Sequence, residues 1–107
     1  MGIDKIEIQR RRKFSFEEIF SNKKQVKLLI ILASTSRRKS DPIKGAISKG
    51  EIKKRLRVSY PTLEKYLKVL QTSGLIQGIK SSDKEYYRLD FESDKGKILL
   101  KLIDLFD

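Results

Sequence analysis

Apolar positions along the chain follow a helical period for most of its length and an alternating one after residue 74. Ser15 followed by Glu18 has capping-box spacing and starts a short helical turn, SFEEIF. The stretch SNKKQVKLLIILAS opens on the capping-type Ser21. It sets Val26, Leu29 and Ile30 on one face, and Ile31 to Ala33 widen that face. So broad an apolar surface predicts a helix at the centre of the core over 22–34. Residues 35–46, TSRRKSDPIKGA, read as a loop. Ile47 is compatible with a short strand. Ser48 and Glu51 form a second capping box ahead of KGEIKKRL, with Ile52 and Leu56 turned inward.

Only Arg57, Val58 and Ser59 separate this helix from the next, which forces a tight corner between them. Ser59 caps the second helix, and Pro61 suits its first turn, where amide groups have no helical partner. Leu63, Leu67 and Leu70 make an apolar stripe, and Gly74 stands where a left-handed residue would end the helix. LIQGIK and EYYRLDF then read as two strands joined by Ser81, Ser82, Asp83 and Lys84. Tyr87, Leu89 and Phe91 share one strand face, Tyr86 and Arg88 the other. SDKGKILLKLIDLFD closes the chain as an amphipathic helix with Ile98, Leu99, Leu102, Ile103 and Phe106 on one stripe.

Composition narrows what such a chain can do. Its 107 residues fit one small core, and 38% are hydrophobic against 36% charged. The formal net charge is +11. Self-repulsion of that size destabilises a compact state and points to a polyanionic partner or an anionic surface. Residues 91–107 hold four acids and three lysines, so the excess lies in the first 90 residues. With no cysteine and no histidine, disulfides, thiol chemistry, the usual zinc ligands and the usual general base drop out. The carboxylates show no paired spacing with a base or nucleophile, and no glycine-rich phosphate loop is visible. An enzyme is not expected, nor a metal or other cofactor. The longest apolar run, Val26 to Ala33, is too short to span a membrane. A soluble cytoplasmic protein associated with the nucleoid is the expectation.

Residues 47–90, ISKGEIKKRLRVSYPTLEKYLKVLQTSGLIQGIKSSDKEYYRLD, resemble the winged helix-turn-helix transcription regulators, and among them the ArsR-like ones. Leu67, Leu70, Gly74, Leu75 and Ile76 stand in that group's leucine and glycine-leucine-aliphatic places. The resemblance implies a mainly α fold with a small β-hairpin. It divides the chain into a basic N-terminal arm (1–13), a winged helix-turn-helix domain (14–92) and a C-terminal dimerisation helix (93–107). The lysine- and isoleucine-rich composition also has an echo of small regulators from archaea and their viruses.

A helix that enters the major groove needs an apolar stripe for the body and a polar face for base edges. Ser59, Tyr60, Thr62, Glu64, Lys65 and Lys68 supply the polar face. Lys65 can donate to guanine O6 and N7. Glu64 departs from the group, which places a small hydroxyl there. It either accepts from a cytosine N4 or pairs with Lys68 four residues on. Tyr60 either meets a base or packs on the turn. The resemblance sets the wing, Lys80, Ser81, Ser82, Lys84 and Arg88, on the backbone or in the minor groove. Lys49, Lys53 and Arg57 are the expected backbone contacts, and Arg10, Arg11, Arg12 and Lys13 form an arm able to enter a minor groove. Ile98, Leu99, Leu102, Ile103 and Phe106 are the expected dimer contacts. The sequence thus points to a homodimeric regulator of transcription on double-stranded DNA that represses by occupying promoters. Its rivals are a low-specificity chromatin or replication-initiation protein and a winged-helix protein assembly module.

Overall fold

The computed structural model describes residues 14–36 and 45–106. Five helices and three strands follow in the order α1 (Phe16–Phe20), α2 (Lys23–Thr35), β1 (Ile47–Ser48), α3 (Lys49–Leu56), α4 (Tyr60–Thr72), β2 (Ile76–Ser81), β3 (Lys84–Leu89) and α5 (Asp94–Phe106). The expected arm at 1–13 and the basic part of the 35–46 loop lie outside the described residues.

Capping residues set most boundaries. At α1, Ser15 accepts from the Glu18 amide and the Glu18 carboxylate accepts from the Ser15 amide, a complete capping box. The cap of α2 is Asn22 rather than Ser21. Its Oδ1 accepts from the Lys24 and Gln25 amides, and Ser21 closes α1 instead. Ser48 caps α3, but Glu51 does not complete a box, because its carboxylate accepts from Arg55 Nε at 3.0 Å. The inward face of α2 also differs from expectation. Leu28, Leu29 and Leu32 are fully buried, whereas Ile30 is exposed and Val26 half-buried. A helix apolar nearly all round offers two rival faces, and its seat on the fold decides between them.

The sheet is three-stranded and antiparallel, in the order β1-β3-β2. Ile47 pairs with Tyr87 and Ser48 with Tyr86, so the short strand before α3 makes β3 the central strand. The hairpin is tighter than four turn residues would make it. Ser81 and Lys84 pair as the last rung, and only Ser82 and Asp83 turn the chain. Ser82 takes a positive φ of 57°, a conformation of the kind two-residue hairpin loops require. The alternation stands as read from Tyr86 to Leu89, but β3 ends there, and Phe91 lies in the turn beyond it, by the Arg88 guanidinium. Tyr87 and Leu89 are buried, and Tyr86 and Arg88 face the other way.

Leu28, Leu29, Leu32, Ile52, Leu56, Leu63, Leu67, Leu70 and Leu89 form the centre of one core. Burial on this scale is the main favourable term in folding, at about 1.5–3 kcal/mol per large aliphatic side chain. Leu99 joins that core at 6% exposure, while Ile98, Leu102, Leu105 and Phe106 on the same helix stay outside. Leu99, expected among the dimer contacts, therefore packs inside its own chain.

Candidate nucleic-acid interface

The corner between α3 and α4 is made by Arg57, which adopts φ 57° and ψ 53°, the left-handed region. Its amide donates to Lys53 O at 2.9 Å and closes α3. Lys24 Nζ donates to Leu56 O at 2.7 Å, which ties α2 to the same helix end. Ser59 then caps α4: its Oγ accepts from the Thr62 amide and donates to Thr62 Oγ1 at 3.0 Å. The far end of α4 is a Schellman motif. Leu75 N donates to Leu70 O at 3.1 Å and Gly74 N to Gln71 O at 3.0 Å, with Gly74 at φ 79°. The helix is thus fastened at both ends and along one stripe, since Leu63, Leu67 and Leu70 are all buried.

The opposite side of α4 is open. Glu64, Lys65 and Lys68 are exposed, and Arg57 and Ser59 stand exposed just ahead of the helix. Thr62 is half-buried, with its hydroxyl already engaged by the cap. Tyr60 is half-exposed, and its ring meets two ammonium groups of α3, Lys53 at 5.0 Å and Lys49 at 5.9 Å. It lies by the start of α3 rather than on the turn, with about half of its surface open.

Glu64 does not pair with Lys68. Its partner is Lys49 from the first turn of α3, which also reaches Glu85 of β3 at 3.2 Å. Lys49, expected as a backbone contact, is committed to this bridge. The hydrogen bond to Glu64 is the chief cause that raises its pKa above the ordinary lysine value. A raised value keeps the ammonium charged in the fold, so the bridge is fully present through neutral pH. On the alkaline side the lysine's contribution is lost as pH climbs past the ordinary lysine value of about 10.5.

The wing presents Lys80, Ser82 and Lys84 on the outside of the hairpin, with Ser81 half-buried. Arg88 is elsewhere. Its Nε donates to Gln77 Oε1 at 3.0 Å and its guanidinium lies 5.8 Å from the Phe91 ring, on the sheet face turned away from Glu85 and Tyr87. Lys65 and Lys68 share a cleft with Glu85 and Tyr87 of β3, and Lys53 lies by Tyr60, whereas Arg88 is held on the other sheet face. At Gly78 a Cβ would crowd the Tyr87 ring at 3.1 Å and displace the end of the Gln71 side chain, 2.8 Å away.

Two bacterial proteins share this architecture. One is a possible transcriptional regulatory protein (fragment 1–100) from Mycobacterium bovis. It is 18% identical, with a TM-score of 0.61 over 94% of this chain and 90% of that one. The other is the transcriptional regulator HlyU from Vibrio vulnificus. It is 22% identical, with a TM-score of 0.63 over 99% of this chain and 98% of that one. This is a winged-helix fold. No family model and no curated protein matches the sequence. Both neighbours are described as regulators, and neither supports the archaeal echo in the composition. Among the described residues no helix is long and apolar enough to cross a membrane, and no group of three acidic, histidine or cysteine side chains could hold a metal.

Proposed function

We propose that the chain is a sequence-specific, homodimeric regulator of transcription that binds double-stranded DNA. One observation carries this reading. Helix α4 is capped at both ends, buried along one stripe and open along the other, where Lys65 and Lys68 are exposed, as are Lys80 and Lys84 of the wing. That is the form a helix needs if it is to sink into a major groove while its body stays outside. Lys65 donates to a guanine edge, and Lys53, Arg57, Lys80 and Lys84 take phosphates on either side. The two winged-helix neighbours described as transcriptional regulators support the same use of the fold. The reading is one of binding, not catalysis. The arm residues Arg10 to Lys13 add minor-groove contacts, and promoter occupancy represses.

Phosphate neutralisation makes the affinity fall with salt. With about six phosphates neutralised per dimer, log affinity falls against log salt with a slope near −5. Fluorescence anisotropy on a labelled duplex between 50 and 200 mM salt measures it. A flat response would remove the electrostatic mechanism and the reading with it.

A further inference from the structure

The cleft between α4 and the β2–β3 hairpin holds an arrangement that phosphate binding does not explain. It encloses about 660 Å³, and its walls include Glu64, Lys65, Lys68, Gln71, Glu85 and Tyr87. Two carboxylates stand here, in the middle of the basic surface. Both remain open to the outside, Glu64 at 56% side-chain exposure and Glu85 at 49%. A single cation, Lys49, serves them both, so the three groups keep a net negative charge of one. They come from three separate elements, α3, α4 and β3.

A carboxylate turned toward a polyanion raises the energy of every approach that brings phosphate near it. It repels in the same way the acceptor atoms that guanine and thymine present in the major groove. The penalty lifts where the edge offers a donor, and the N4 amine of cytosine is the matching one. Glu64 lies exposed on α4, one position before Lys65, and both line the same cleft. Glu85 is set back on β3, opposite Lys80 in the hairpin register. Its charge keeps phosphates off the cleft and on the rim lysines.

We infer that Glu64 and Glu85 form a specificity filter, in which Glu64 selects a cytosine edge, Glu85 turns phosphate away from the cleft, and Lys49 positions both. The inference rests on the DNA-binding reading. It predicts a protein whose contact surface trades general affinity for discrimination.

The test uses the full chain and its Glu64→Gln, Glu85→Gln and Lys49→Met variants, with folding checked by thermal melting. Each protein selects sequences from a random DNA pool, and each is titrated by anisotropy against a random-sequence 24-base-pair duplex. The wild type should select a motif with one fixed cytosine per half-site. With Glu64→Gln, that cytosine preference should fall by about five- to a hundredfold, the range for one lost base contact. Its affinity for the random duplex should rise at the same time. Glu85→Gln should raise random-duplex affinity and leave the motif unchanged. Lys49→Met should blur the cytosine position without lowering the melting temperature enough to unfold the protein. A Glu64→Gln motif identical to the wild type, with unchanged random-duplex affinity, overturns the filter while the DNA-binding reading survives. A wild type that binds no duplex at low salt takes both down.

Discussion

Lys65 stands alone among the exposed cations of α4 in lying within the helix's second turn, next to the carboxylate that Lys49 holds. Its exposure leaves the ammonium free to meet a base edge. Lys65→Ala should narrow the gap between selected and random DNA by about 1–3 kcal/mol. Competition binding with both duplexes reads this out, and an equal loss on the two would make Lys65 a phosphate contact only. At this scale the sequence was informative wherever the signal is local. Ser59 as a cap, Gly74 as a left-handed stop and Leu63, Leu67 and Leu70 as a buried stripe all follow from spacing, and the structure has each in that role. Lys49 could not be read in this way. A lysine at the start of a helix looks like any solvated cation, and its partners are 15 and 36 positions further along the chain. Only the tertiary fold brings them together. The nearer Lys68 was the natural partner for Glu64 by helical spacing, but a bridge across three elements won.

The α3–α4 corner is the element whose chemistry separates folding from binding most cleanly. Arg57 occupies left-handed backbone without being glycine, a conformation worth about 1–2 kcal/mol of strain for a residue with a Cβ. Arg57→Gly should relieve that strain, offset in part by the added freedom of the unfolded chain. The net expectation is a melting temperature unchanged or higher by a few degrees. If Arg57 meets a phosphate, the same variant should flatten the salt slope by about one per protomer. A slope equal to the wild type would place Arg57 off the DNA, whatever the stability. The other elements show where periodicity runs out. Helix α2 was legible as a central helix, but its buried side was not, because Val26 and Ile30 fit the period as well as Leu28 and Leu32 do. Strand β1 has two residues and no pattern of its own. Its existence depends on β3 being there to pair with.

At the scale of the whole molecule, the described residues leave an apolar surface exposed around α5. Phe106 is 83% exposed and Leu105 81%, and Ile98, Leu102, Phe16 and Ile30 are exposed nearby on α5, α1 and α2. Two apolar hollows flank α5. One lies toward α1 and the end of α4, the other toward α2, and both include Phe20, Leu99 and Leu102. In the proposed dimer this surface is covered by a second copy. Leu105→Glu with Phe106→Glu should then shift the sedimenting mass from about twice 12.5 kDa toward the single chain. Because both side chains already face outward, melting should change little, while duplex affinity should drop as one reading helix is lost from each complex. A wild type that sediments as a single chain at tens of micromolar would rule this assembly out. The expected fold class was legible because capping, helical period and the switch to alternation agree with one another along the chain. Which α5 residues face outward was less so, since Leu99 and its neighbours carry the same apolar signal.

The joint at the start of α5 has a consequence for that assembly. Ser93 Oγ donates to Gly74 O at 2.9 Å, Lys95 Nζ donates to Ser73 O at 3.2 Å, and a Cβ on Gly96 would fall 1.9 Å from Asp90 O. The start of α5 is thereby hydrogen-bonded to the residues that close α4, and packed tightly on the segment after β3. The two helices act as the arms of a bracket, and an error of a few degrees at its elbow is magnified along both arms. In the proposed two-fold pair, the pitch at which the two copies would meet a duplex therefore depends on this joint at Ser93 and Lys95.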